Sequence, residues 1–414
     1  MKILVLDGSG NHALAVVRSL GRRGLRVVAA ESRSLMQAGF SRYCAGRAVY
    51  PSPARGVREF QEGLRRILDA HRPDVLMPMT ERTILAMASA RGEIESRTRL
   101  APLPPEDALR VAFDKKATTG LAASLGIPIP RTVVLTNPAD ITALRPRLTY
   151  PAVIKPCRSE YLGADGRMSS GGAPAYCFSP DHLEEAYLSV HRRAPLPLIQ
   201  EFIPGEGYGV SALCDRGRPR ALFAHRRLRM IRPTGSGSSL RESIPPPKDM
   251  AEAARALLEA LRWHGVAMVE FKRDARDGTP KLIEINGRFW NSLPLAVASG
   301  VDFPFLLYTL AVEGRCPEVL DYRVGVRCRW LAGDVRHLLR VLRGRPAGWT
   351  DAFPSRLRTM IDFLRPAGED LHYDDLWLRD PLPFFVSLAG AALQRPPAVR
   401  SPRPVAALGE APHA

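Results

Sequence analysis

Apolar and polar positions change period several times along the chain. KILVLDG is a short apolar run closed by a turn at Gly8–Gly10, the pattern of a strand buried on both faces. HALAVVRSLGRRG has apolar residues at helical spacing and a glycine stop, and LRVVAAES reads as the next strand. A helix around Val57–His71 leads to a further strand, DVLMPMT. This alternation predicts a doubly wound α/β domain with a parallel sheet over about residues 1–110.

The rhythm then changes. Pro102, Pro104 and Pro105 mark a hinge, and Asp114–Leu125 is predicted helical with Gly126 as its stop. YPAVIKP is a short buried strand ending on Lys155, followed by a polar, glycine-rich segment through Ser169–Ala173. PLIQEFIPGEGYGVSALCD reads as strand, turn and strand. A helix is expected over Ala251–Gly265, with Gly265 as its stop, and then two strands, VAMVEFKRD and KLIEING, around DARDGTP. Residues 111–314 thus form an α+β region. From about Arg315 the chain is rich in arginine and proline, with short helical pieces, and its last twenty residues are expected to be disordered.

Composition narrows the function. At 414 residues, two or three cored domains fit. A formal net charge of +17 favours anionic ligands, but the basic residues are scattered, so no dedicated nucleic-acid reader is expected. Six cysteines lie far apart and none forms a CxxC pair. The start reads as strand and turn, and PFFVSLAGAAL falls short of the roughly 20 residues of a membrane span, so a cytoplasmic protein without membrane partners is expected. The first turn, GSGNHA, is a weak match to a dinucleotide fingerprint, with Glu31 placed where an acid could hold a ribose.

KLIEINGRFW carries the chemistry. Alternation puts Ile283 and Ile285 on one strand face and Glu284, Asn286 and Arg288 on the other. A hairpin centred on Asp277 sets Glu270 opposite Glu284, Phe271 opposite Ile283 and Val269 opposite Ile285. Two carboxylates about 5 Å apart repel by roughly 3 kcal/mol at an effective dielectric near 20. A hard divalent cation bound by Glu270, Glu284 and the Asn286 carbonyl offsets that cost, and Arg288 meets the anion left uncovered. The chain has no phosphate-binding GxxxxGK[ST] loop. Lys155, leaving a buried strand, needs an anion for its ammonium, and the glycines after it can close over phosphate oxygens. Lys115, in FDKK, is a second candidate.

These motifs, in the order DK at Asp114–Lys115, YPAVIKP, IQEFIPGEG, and VEF followed by EINGRFW, resemble the ATP-grasp superfamily from about Ala112 to Gly314. AHRRLR, EINGRFWNS and RWLAGD make the chain most similar to bacterial carboxylate–amine ligases related to the carbamoyl-phosphate synthase large subunit. The resemblance implies a nucleotide held between two α+β subdomains, with a lid over about residues 130–200 and a small helical C-terminal extension from 315. It implies that Lys115 and Lys155 contact ATP phosphates, that Ser169, Ser170, Gly171 and Gly172 form the closing loop, and that Gln200, Glu201, Phe202 and Ile203 form the adenine hinge. It further implies that Glu270, Glu284 and Asn286 hold magnesium (manganese being the alternative), and that Arg288 and Lys155 are catalytic. Relatives place a ribose-binding glutamate two residues after the hinge glycine; here Glu206 directly follows Gly205 and is the candidate. Arg227, Arg229 and Arg241 are candidates for a substrate carboxylate, by strand alternation around a flexible TGSGSS turn.

The reaction implied is activation of a carboxylate as an acyl phosphate by ATP, then amide formation with an amine. The partners expected are a small-molecule carboxylate and amine, with a homodimer left open. A carboxylase-like enzyme acting on bicarbonate, a regulatory ATP-binding protein and an NAD-dependent oxidoreductase remain alternatives.

Overall fold

A computed structural model describes residues 1–393 apart from 236, 347–348, 350–351 and 366–369. The expected disordered tail lies outside the described residues.

The first hundred residues form a five-stranded parallel sheet. Lys2–Val5 is central, flanked by Arg26–Glu31 and then Cys44–Val49 on one side, and by Val75–Met77 and Arg99–Leu100 on the other. Lys2–Val5 buries three of its four residues completely, as an apolar run sandwiched between helices must. The helix Asn11–Gly21 starts at the turn after it, and its N-cap Gly10 makes no side-chain cap. This helix packs against Leu293–Ser299 and Phe303–Glu313, so one apolar core runs from the first sheet into the rest of the molecule.

A small antiparallel sheet, in the order Ala175–Cys177, Ala152–Lys155, Leu198–Glu201, Thr132–Val134, is covered by the helix Leu183–His191. A second sheet of seven strands runs Pro280–Asn286, Gly265–Arg273, Gly207–Asp215, Arg218–Met230, Ser238–Ile244, Arg327–Arg329, Leu371–Tyr373. All its pairings are antiparallel except the last. The helix Lys248–Ala260 packs its Met250, Ala254, Leu257 and Leu258 against this sheet. The helical extension expected after 315 therefore also contributes two strands, which widen the central sheet.

Two local expectations fail for identifiable reasons. The helix expected to run to Gly265 ends at Ala260. Gly265 instead opens the next strand at φ +106°, where a Cβ would sit 2.2 Å from the Pro102 carbonyl oxygen. A β-bulge between Glu270 and Phe271 sets Phe271 opposite Leu282 rather than Ile283. Leu282 and Ile285 are the core residues, and Ile283 faces the cavity described below. The expected pairings Glu270–Glu284 and Val269–Ile285 are present. Gly287 is forced by packing, because a Cβ there would lie 2.8 Å from the Trp263 ring and 3.1 Å from that of Phe113.

Among the described residues no single helix is long and apolar enough to cross a membrane.

Candidate active site

A cavity of about 630 Å³ lies between the small sheet and the central sheet, and it reaches Ser9, Gly10, Asn11 and Gln37 of the first sheet's loops. Of the residues singled out from sequence, Lys115, Lys155, Ser170, Gly172, Gln200, Glu201, Phe202, Ile203, Arg227, Arg241, Glu270, Glu284, Asn286 and Arg288 line it. Ser169, Gly171, Glu206 and Arg229 do not line it.

The acidic wall comes from paired strands. Glu270 and Glu284 are in register and both face the cavity. Each already has a cation beside it. Lys115 Nζ is 3.3 Å from Glu284 Oε2, and Arg227 forms an ion pair with Glu270. Asn286 Nδ2 donates to Glu270 Oε1 at 3.1 Å. The repulsion read from the sequence is thus offset by two protein side chains, and a metal ion is not required for the hairpin to form. Burial pushes the Glu284 carboxyl up, but Lys115, Lys155 and Arg288 outweigh it and hold the group ionised, at about 2.

Among the described residues no three His, Cys, Asp or Glu side chains form a metal cluster. Two carboxylates and a carboxamide on one cavity wall fit a hard divalent ion that takes its other ligands from water and phosphate oxygens.

The basic wall comes from the small sheet and the helix start before it. Asp114 caps the helix Lys115–Ser124, accepting from the Lys116 and Ala117 N–H groups, so Lys115 is fixed at the first helical position. Lys155 ends its strand and donates to Gln200 Oε1 at 2.7 Å, while Gln200 Nε2 donates to Thr132 Oγ1 at 2.9 Å. The Gln200 side chain therefore aims the lysine, a role the sequence reading missed. Burial lowers the Lys155 ammonium to about 8; Glu284 pulls it up, and Lys115 and Lys272 push it down. Lys272 also lines the cavity, 4.8 Å over the Phe202 ring, and alternation along its strand could have flagged it.

At the hinge, Glu201 N–H and Phe202 N–H donate to the Arg131 and Pro151 carbonyls. Ile203 N–H has no partner among the described residues, and its carbonyl accepts from Lys272. Glu206 is exposed and bonded by the Tyr208 hydroxyl at 2.9 Å, outside the cavity wall. The turn carries it there: Gly205, at φ +118°, lies against the Arg273 carbonyl and sends Glu206 outward.

The segment expected as a glycine loop is a hairpin of Glu160–Leu162 with Met168–Ser170. It leans on the first domain. Arg82 grips Glu160 through two bonds of 2.9 and 3.1 Å, Met168 N–H donates to the Pro53 carbonyl, and Val57 N–H donates to the Gly166 carbonyl. Ser169 faces Tyr161 across the hairpin, and Gly171 N–H is bonded to the Ser159 carbonyl, so neither reaches the cavity.

The three substrate arginines are all engaged. Arg227 is held at Glu270. A bulge between Arg227 and Arg229 breaks the expected alternation, and Arg229 pairs with the buried Asp334 at 2.5 Å. Arg241 is 1% exposed and chelates Asp374, whose other oxygen contacts include Asn11 and Cys328. Arg229 is held away from the cavity, whereas Arg241 lines it with both terminal nitrogens occupied by Asp374 and its Nε without a partner among the described residues. Arg288 donates to its neighbour's carbonyl, Phe289 O, at 2.8 Å and lines the cavity. Trp330, Asp374 and Ser387 from the C-terminal part of the chain also line the cavity, which nothing local in the sequence marks.

Residues 193–333 match the family model described as "ATP-grasp in the biosynthetic pathway with Ter operon". A D-alanine–D-alanine ligase of Ectopseudomonas mendocina is 27% identical over 215 residues, which cover 49% of this chain and 66% of that protein. A formate-dependent phosphoribosylglycinamide formyltransferase of Bacteroides thetaiotaomicron is 25% identical over 285 residues, 66% of each protein. The chain thus spans about two thirds of the length of these relatives. The crystal structure of N5-carboxyaminoimidazole synthetase from Staphylococcus aureus complexed with ADP superposes with a TM-score of 0.61 at 13% identity, covering 79% of this chain and 80% of that one.

Proposed function

We propose, for a chain that carries an ATP-grasp domain, that it is an ATP- and Mg2+-dependent ligase. It activates a carboxylate as an acyl phosphate and joins it to an amine, forming an amide or peptide-like bond. One observation carries this reading: the in-register Glu270–Glu284 pair shares a cavity with Lys115, Lys155 and Arg288.

Lys115 and Lys155 hold the phosphate oxygens of ATP. Phosphoryl transfer asks for alignment and charge neutralisation more than for covalent help, and two half-buried ammonium groups give both. Glu270, Glu284 and Asn286 would hold Mg2+, which when bound neutralises phosphate charge. Arg288 steadies the reacting carboxylate through its guanidinium. The free Ile203 N–H, beside Phe202, faces adenine. The hairpin bearing Ser170 covers the phosphates and keeps water from the acyl phosphate. The partners are small molecules, and six unpaired cysteines suit the cytoplasm.

The test is a screen of amino acids and small carboxylates with amines for ATP-dependent phosphate release, with products identified by mass. A coupled product supports the ligase. Release with bicarbonate as the sole acid would make the chain carboxylase-like, and tight ATP binding with no release under any mixture would make it regulatory.

Lys155→Ala is expected to weaken ATP binding about a hundredfold by calorimetry, the worth of a charge-assisted bond to phosphate. Affinity should also depend on pH. The Lys155 ammonium, at about 8 in the free protein, is the form that binds phosphate. As the pH rises past 8 the free protein loses that proton, so binding should weaken by up to about tenfold per unit, the limit for one coupled proton. A flat profile between pH 7 and 9, or unchanged affinity in the alanine variant, would remove Lys155 from the nucleotide site.

A further inference from the structure

Two helices of the C-terminal part, Leu331–Arg343 and Arg356–Leu364, pack together and are turned inside out. The first buries Gly333, Asp334, His337 and Val341. Its anchors are polar: Asp334 takes Arg229 and Arg329, and His337 Nδ1 lies 2.6 Å from the Met230 carbonyl oxygen. Its outer face carries Val335, Leu339 and Leu342 at spacings of four and three. The second helix buries only Thr359 and exposes Leu357, Met360, Ile361 and Leu364, a complete i, i+3, i+4, i+7 stripe. Leu357 is 68% exposed and Leu364 79%. An ordinary surface helix shows the reverse arrangement, so this apolar face has an occupant to find.

Charge identifies that occupant. Residues 331–365 hold seven arginines and three aspartates, and one of the latter, Asp334, is buried and already paired. Arg340 is held below its ordinary range by burial and by Arg232, Arg336 and Arg343 around it. Among the described residues, none of those three neighbours has a carboxylate in ion-pair reach; Arg336 instead lies 5.4 Å over the Trp330 ring. A second copy docked face to face would set this cluster against itself. The stripe is Leu, Met, Ile and Val without Tyr or Trp. Apolar side chains rimmed by these arginines suit the boundary between acyl chains and anionic headgroups.

We propose that the faces of Leu331–Arg343 and Arg356–Leu364 together form a docking surface for an anionic lipid bilayer, which sets aside the expectation of no membrane partner. The full chain is to be floated with vesicles of phosphatidylcholine alone and with about 30% phosphatidylglycerol added, at low salt and at about 0.5 M salt. Co-flotation is expected with the anionic vesicles only, and high salt should reduce it. Leu357→Ser combined with Leu364→Ser should cut the bound fraction at least about tenfold, since both transfer terms are lost. Arg336→Gln combined with Arg343→Gln should shift binding to a higher anionic lipid content. Melting temperature and ATP affinity should stay unchanged in both, since none of these residues lines the cavity. Absence of flotation, equal binding to neutral vesicles, or indifference to the leucine substitutions would overturn the proposal. A dimer in light scattering that the leucine substitutions split would overturn it too, and would assign the face to a second copy.

Discussion

Glutamine in place of Glu284 is expected to lower carboxylate- and amine-dependent ADP release by about a hundred- to a thousandfold while the fold stays intact. The side chain sits in the cavity, ionised at about 2, 3.3 Å from Lys115 and opposite Glu270. The amide keeps the size and still accepts a bond from Lys115, so packing should be preserved and the melting temperature nearly unchanged. What it loses is the charge that makes an oxygen a strong ligand for a hard cation. The variant should therefore also need more Mg2+ for half-maximal rate. ADP release at saturating substrates, with a Mg2+ titration, checks this; full turnover at the same Mg2+ requirement would take Glu284 out of cation binding.

Arg241→Ala is expected to act on stability first. Its guanidinium and the Asp374 carboxylate are each 1% exposed, with contacts of 2.5 to 3.1 Å. Removing one partner strands a buried charge, at a cost of about 3–5 kcal/mol. In a chain of 414 residues that lowers the melting temperature by roughly 4–6 °C. Asp374, next to the last strand of the central sheet, also bonds Asn11 of the first helix, and both line the cavity, so the damage should extend to that wall. Replacing both partners, Arg241→Met with Asp374→Leu, should recover much of the loss, because no orphaned charge remains. Differential scanning calorimetry separates the readings: an unchanged melting temperature with a raised KM for the carboxylate would return Arg241 to the substrate.

The acidic hairpin was legible because its information is local. VEF and EING lie close in sequence, a DG turn joins them, and alternation fixes which groups face together. Lys155 was legible for a similar reason, since an ammonium closing an apolar strand demands a partner. The bulge that moved Ile283 to the cavity was not legible, because one extra residue leaves composition and period almost unchanged. Nor was the fate of the arginines. Arg227, Arg229 and Arg241 look alike in sequence, and their roles are set by Glu270, Asp334 and Asp374, which arrive from 43, 105 and 133 positions away. Pairing over such distances has no signature in one sequence. Glu206 was misplaced because the backbone conformation at Gly205 decides its direction.

The hairpin of Glu160–Leu162 and Met168–Ser170 touches the first domain through one two-pronged ion pair and two backbone bonds. Each is worth about 1 kcal/mol or less where water competes. In the lid role proposed for it, a hairpin fastened this weakly would open at the microsecond-to-millisecond pace of enzyme lids. Loosening Arg82, on the helix Glu81–Met87, should then hasten ADP departure without touching any group proposed for the chemistry.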